Sequence, residues 1–67
     1  MYETFADAAH AARRVINRYY AGDKMNCVIV ETKTSRGTWF NFRFHSTDTN
    51  GEWVNREHGV FERRTLI

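Results

Sequence analysis

Cys27 and three histidines are the first residues of this 67-residue chain to consider for nucleophilic catalysis or metal binding. Cys27 lies within an apolar stretch, where an unreactive thiol is common, and no glycine-rich phosphate loop or serine-centred elbow accompanies it. The candidate metal ligands are scattered without the spacing of a zinc site; they are His10, Cys27, His45, Asp48 and His58. We therefore predict no catalytic, cofactor-binding or metal-binding residue, and we expect that the protein is not an enzyme.

Arginine is the more informative residue type. The chain has ten basic and eight acidic residues, which gives a net charge of +2, and only Lys24 and Lys33 among the basic residues are lysines. The planar guanidinium group forms bidentate contacts with phosphates and carboxylates and is favoured at interfaces. The net charge is too small to indicate nucleic-acid binding by itself. The positions of the arginines therefore matter more than their total charge.

A helix is predicted from about Phe5 to Tyr20. Thr4 is placed as its N-cap, with Asp7 in the first turn, and Gly22 is placed to end it. Apolar residues recur at spacings of three and four and predict one buried stripe. That stripe comprises Phe5, Ala8, Ala12, Val15, Ile16 and Tyr19.

The polar side of this helix is predicted to be a docking surface. His10, Arg14 and Arg18 follow one another at intervals of four residues, and Arg13 lies beside them. Asp7 is the only acidic residue of the helix, so the arginines are not neutralised within it. Together with Tyr20 they would suit a phosphate group or an acidic groove. An ordinary solvated helix face is the alternative, and the sequence does not decide between the two.

Four strands are predicted after the helix, over residues 26–33, 38–46, 52–56 and 60–66. The strands are rich in β-branched and aromatic residues, and the second alternates clearly between apolar and polar side chains. Turns are predicted at 35–37, 47–51 and 57–59. We expect an α+β fold in a single domain, residues 1–67, with the N-terminal helix packed on a three- to four-stranded antiparallel meander.

The second strand predicts which face of the sheet meets the helix. Phe40, Phe42 and Phe44 point one way and would pack against the helix, whereas Trp39 and Arg43 point the other way. Trp53 is expected to join Trp39 and Arg43 on the open face, where nucleic-acid bases could stack. The alternative is that the tryptophans simply close the second face of a thin domain.

Sequence patterns also bear on location. No run of 18 apolar residues is present, and the first residues lack the basic and apolar segments of a secretory signal. A single cysteine fits a reducing compartment. We therefore expect a cytoplasmic protein with no membrane partner.

One succession of segments resembles a known family. Residues 12–18, ARRVINR, form the basic part of the helix, and residues 28–32, VIVET, follow in the first strand. Residues 37–39 (GTW) and 50–54 (NGEWV) carry the two tryptophans. This succession resembles small phage-encoded anti-CRISPR proteins, in particular a family that inhibits type I-F systems. The resemblance covers residues 12–55; the family has an additional strand before the helix, whereas this sequence adds residues 60–67.

The resemblance implies a stoichiometric inhibitor in a bacterial host. Members of the family bind backbone subunits along the guide RNA of a surveillance complex and obstruct target-DNA hybridisation, through basic helix residues that match Arg13, Arg14 and Arg18. The predicted partner-binding residues are Arg13, Arg14, Arg18, Tyr20, Arg36, Trp39 and Arg43. The alternatives are a small nucleic-acid-binding phage regulator that uses an Arg/Trp surface, and an assembly protein that forms a homodimer through its tryptophan face.

Overall fold

The computed structural model describes residues 1–20, 26–44 and 51–67. Its elements are α1 (Phe5–Tyr19), β1 (Cys27–Thr34), β2 (Gly37–Phe44), β3 (Val54–Glu57) and β4 (Val60–Leu66). The strands form one antiparallel sheet, and α1 packs on β1 and β2. The predicted α+β fold class is confirmed. Residues 45 and 46, predicted to end the second strand, lie outside the described residues.

The predicted meander is wrong. The strand order is β2-β1-β4-β3, so that two hairpins are joined through an antiparallel pairing of β1 with β4. Val28, for example, lies opposite Arg43 on one side and Leu66 on the other. A meander would leave β1 at an edge, although residues 27–30 are buried on both faces of the sheet. In the central position, β1, the most apolar strand, is hydrogen-bonded to a neighbouring strand on each side.

The strand order predicts specific contacts in solution. We expect nuclear Overhauser effects between backbone protons of Ile29 and Thr65, which are register partners in β1 and β4. The β1–β2 pair Ile29 and Phe42 serves as the positive control, because both topologies contain it. Cross-peaks between β2 and β3 in place of those to Thr65 would restore the meander.

The N-terminus of α1 follows the prediction. The Thr4 side-chain hydroxyl accepts a hydrogen bond of 3.1 Å from the backbone N–H of Asp7. The cap satisfies one of the N–H groups that the first turn leaves without a helical partner. The helix ends at Tyr19, and the Tyr20 N–H still donates to the Ile16 carbonyl at 2.9 Å. Gly22, predicted to end the helix, lies outside the described residues.

Small residues make up the buried part of α1. Ala8 and Ala12 are fully buried, as predicted, but Ala9 and Ala11 are buried as well. Tyr19, predicted to face the core, is 67% exposed. Helical periodicity predicts the direction in which the Tyr19 side chain points. It does not predict whether the sheet extends far enough to bury that side chain.

The core lies between α1 and the β1–β2 half of the sheet. Cys27 and Ile29 pack with the helix alanines. The phenylalanines of β2 join this cluster, as predicted; they are Phe40, Phe42 and Phe44. Residues 1–4 form no strand, but Tyr2 exchanges two backbone hydrogen bonds of 2.8 Å with Phe40 and stacks on Phe42. The N-terminal segment thereby covers part of the free edge of β2.

Candidate partner-binding surface

Three arginines of the sheet are held in ion pairs. Arg63 Nη2 lies 2.7 Å from Glu31 Oε1, and its Nε donates to the same oxygen at 3.2 Å. Arg56 Nε donates to Glu62 Oε2 at 3.1 Å, and Arg64 Nη2 lies 3.9 Å from that oxygen. The first two pairs connect neighbouring strands, whereas Arg64 and Glu62 both lie in β4, and the charges of the β3–β4 half are largely balanced within the sheet.

The other five arginines have no ion pair to any residue in the ranges 1–20, 26–44 and 51–67. They are Arg13, Arg14, Arg18, Arg36 and Arg43, and all five are exposed. An arginine that is not neutralised within its own domain is available to carboxylates or phosphates of another molecule. The structure thus separates three arginines that are ion-paired within the sheet from five exposed arginines that have no ion pair in the described ranges.

A shallow groove of about 300 Å³ runs beside the basic side of α1. It is lined by Tyr2, Ala11, Arg14, Val15, Arg18 and Tyr19. The Arg18 guanidinium carbon lies 5.5 Å from the centre of the Tyr19 ring, so a cation and an aromatic ring are in contact in the groove lining. We give the name helix arginine surface to this groove together with Arg13, which precedes Arg14 in the helix and does not itself line the groove. It combines charge with aromatic area, a composition typical of binding hot spots.

Tyr20 packs against β2 and does not line this groove. It is half-buried, and its ring lies 5.5 Å from that of Phe44. This contact joins the end of α1 to the end of β2 and fixes where the helix arginines project. Tyr2 and Tyr19 take the aromatic role expected of Tyr20. Sequence reasoning missed Tyr2 because only its pairing with Phe40 brings it beside α1.

Arg36 and Trp39 are brought together at the other end of β2. They line a pocket of about 370 Å³ where the β1–β2 and β3–β4 turns meet. The lining residues are Thr34, Ser35, Arg36, Trp39, His58, Gly59 and Val60, and we call the site the hairpin-end pocket. His58 was not among the predicted partner-binding residues, and its sequence position beside Gly59 indicates only a turn. Trp39, the pocket residue of β2, is five residues, or about 17 Å, from Phe44 along the strand.

The expected tryptophan face does not form. Register places Trp39 and Arg43 on the sheet face opposite α1, as predicted. Trp53 instead lies on the helix side, with its ring centre 4.7 Å from the Arg63 guanidinium carbon and 5.7 Å from Lys33 Nζ. The prediction for Trp53 is wrong because the cations of β1 and β4 hold its ring. A joint stacking or dimerisation surface of both tryptophans therefore has no basis in this fold.

Cys27 is fully buried, and desolvation raises the pKa of its thiol above the ordinary value of 9.0. Burial therefore opposes the thiolate form that a nucleophile requires.

We expect native protein to resist iodoacetamide at pH 8, and the same protein to react rapidly once guanidinium unfolds it. Because the native pKa is raised, the contribution of the neutral thiol to stability is present below pH 9 and is lost as the pH rises further. Rapid alkylation of the native protein would contradict the burial of Cys27.

Within the described part of the chain, no three histidine, cysteine or carboxylate side chains come together as a metal site. His45 and Asp48, both considered as ligands, lie outside it. The one described helix is neither long enough nor apolar enough to cross a membrane.

We compared the chain with protein-family models, curated proteins and solved structures, and none of them matches it.

Proposed function

We propose that this protein is a non-catalytic inhibitor of a type I CRISPR–Cas surveillance complex. It binds the complex through the helix arginine surface and obstructs target-DNA binding. The observation that carries the proposal is the exposure of Arg13, Arg14 and Arg18, none of which has an acidic partner among the described residues. The resemblance of residues 12–55 to type I-F anti-CRISPR proteins supports the same surface.

Electrostatics explains how so small a domain would act. A surveillance complex holds its guide RNA and receives target DNA in a charged channel. Exposed guanidinium groups bind RNA phosphates or subunit carboxylates bidentately, and the groove beside Tyr2 and Tyr19 supplies aromatic contact area. A slowly dissociating protein on that path excludes DNA without turnover. This role requires the host bacterial cytoplasm as the site of action.

A second candidate function is a small nucleic-acid-binding phage regulator. The pocket shared by Arg36 and Trp39 supports this alternative, since aromatic rings and guanidinium groups are the groups that bind unpaired bases and phosphates. Its residues do not overlap with those that line the groove beside α1, so the two candidates are separable by mutation.

Co-purification tests the first candidate. We expect the tagged protein to retain reconstituted type I complexes at moderate salt and to release them as the salt concentration rises, because the contact is largely ionic. An unrelated tagged basic protein of similar size controls for non-specific adhesion. Failure to retain any type I complex would reject the proposal in favour of the second candidate.

A further inference from the structure

The hairpin-end pocket brings together two turns from distant parts of the sequence. Thr34 of β1 lies beside the start of β4, because Lys33 pairs with Phe61. The β1–β2 turn therefore contributes Arg36, and the β3–β4 turn contributes His58. Trp39 forms a half-buried aromatic wall between them. The volume of the hairpin-end pocket, about 370 Å³, is at the lower end of the range for small-molecule sites.

The backbone of His58 is unusual. His58 and Gly59 are the central residues between Glu57 and Val60, and both have positive φ, 36° and 79°. Such a turn favours Asn or Gly at its first central position, and a histidine there is strained. Strain of this kind is often found where a side chain serves a binding site. The turn places His58 in the lining of the pocket.

The chemistry of the wall indicates the ligand. We propose that the hairpin-end pocket binds a nucleoside monophosphate unit, whose base stacks on Trp39 and whose phosphate is bound by Arg36. Arg36 is exposed and has no acidic partner in the described ranges, so its charge is available to the phosphate. The His58 imidazole is placed to donate a further hydrogen bond to the phosphate or ribose. Base stacking on an aromatic ring and phosphate binding by arginine are the two contacts that nucleotide sites in single-strand binders combine.

A strand of nucleic acid is the source that the surroundings favour. Arg43 lies on the same sheet face as Trp39, four residues further along β2, or about 13 Å. Asn41, between them, is also exposed. An extended strand whose first base occupies the pocket would pass along these residues, so that Arg43 binds a later phosphate. This inference rests on the second candidate function, for which it names the ligand, and it does not depend on the helix arginine surface.

Tryptophan fluorescence tests the proposal. In a Trp53→Phe background, which keeps an aromatic ring beside Arg63, Trp39 is the only reporter. We expect adenosine monophosphate to quench this emission at lower concentrations than adenosine or inorganic phosphate. An oligodeoxythymidylate should bind more tightly than thymidine monophosphate, which separates a strand from a free nucleotide. Failure of both nucleotide and oligonucleotide to bind at millimolar concentration overturns the proposal.

Variants assign the contacts. Arg36→Ala should weaken binding of both probes at least about tenfold, whereas Arg43→Ala should weaken only the oligonucleotide. Binding that survives Arg36→Ala overturns the proposal, as does tighter binding of a phosphotyrosine peptide than of any nucleotide. The Arg13→Ala, Arg14→Ala double variant should keep full nucleotide binding, so that failure here is distinguishable from failure of the proposed inhibitory function.

The His58→Asn variant tests whether His58 contributes to nucleotide binding or only forms part of the turn. The change creates an Asn-Gly turn, the favoured sequence at these φ values, and should raise the Tm by about 4 °C. The same variant should bind the nucleotide more weakly, because the shorter asparagine amide replaces the imidazole as donor. Unchanged nucleotide affinity would remove His58 from the site, and because the variant is expected to be more stable, that result could not be attributed to unfolding.

Discussion

The Arg13→Ala, Arg14→Ala double variant is expected to lose association with the surveillance complex and to keep its stability. Truncating a hot-spot arginine costs about 2 kcal/mol, and each 1.4 kcal/mol is about tenfold in Kd, so two such losses weaken binding by about a thousandfold. Neither side chain is buried or ion-paired to another described residue. The free energy of unfolding should therefore change by about 0.5 kcal/mol or less.

Binding and melting have to be measured on the same preparations. The control is the Arg36→Ala, Arg43→Ala double variant, which also removes two exposed arginines without an ion pair in the described ranges, but outside the helix arginine surface. It should retain the complex, apart from a small loss through the weaker overall field. An equal loss of binding to the surveillance complex in both variants would mean that binding depends only on the net charge of the protein. A large fall in Tm for the helix variant would mean that its arginines are structural.

Ile29→Ala is expected to be the most destabilising single substitution. Ile29 is 1% exposed and packs with Ala8, Ala9 and Ala12 beneath the helix. Removing a buried isoleucine side chain to alanine costs about 2–5 kcal/mol, because the lost contacts leave a cavity. A domain of this size has only about 3–5 kcal/mol to lose. We therefore expect the variant to be largely unfolded at 37 °C.

Circular dichroism during urea unfolding checks this expectation. Leu66→Ala is the control, because Leu66 is 51% exposed and its truncation should cost much less. Ile29→Val, which removes one methyl group, should lie between the two at about 0.5–1.5 kcal/mol. Similar midpoints for Ile29→Ala and Leu66→Ala would contradict the placement of the core under α1.

Local structure was predictable because its causes are local. The Thr4 cap depends on a hydrogen bond over three residues, and the alternation of Phe40, Phe42 and Phe44 is a property of one strand. The strand order was not predictable in this way. The strand order depends on the pairing of β1 with β4, two strands that are far apart in the chain. The local sequence patterns that predict each hairpin do not predict this long-range pairing.

The same distinction holds for the candidate surface. The helix arginines could be selected from spacing, since an acidic residue on the same helix would be visible in the sequence. The pairing of Arg63 with Glu31, 32 residues away, could not. Nor could the position of Trp53 against the cations of β1 and β4 or the meeting of Arg36 with His58, because both depend on the strand order.

Target-DNA binding by a purified type I surveillance complex tests the central proposal most directly. The measurement is the fraction of labelled target DNA bound as this protein is added to a fixed amount of complex. We predict that binding falls linearly with added protein and ends at a fixed molar ratio, and that the Arg13→Ala, Arg14→Ala variant has no effect at that ratio. Unchanged DNA binding at a large molar excess of the protein, across the type I complexes, would contradict the proposal.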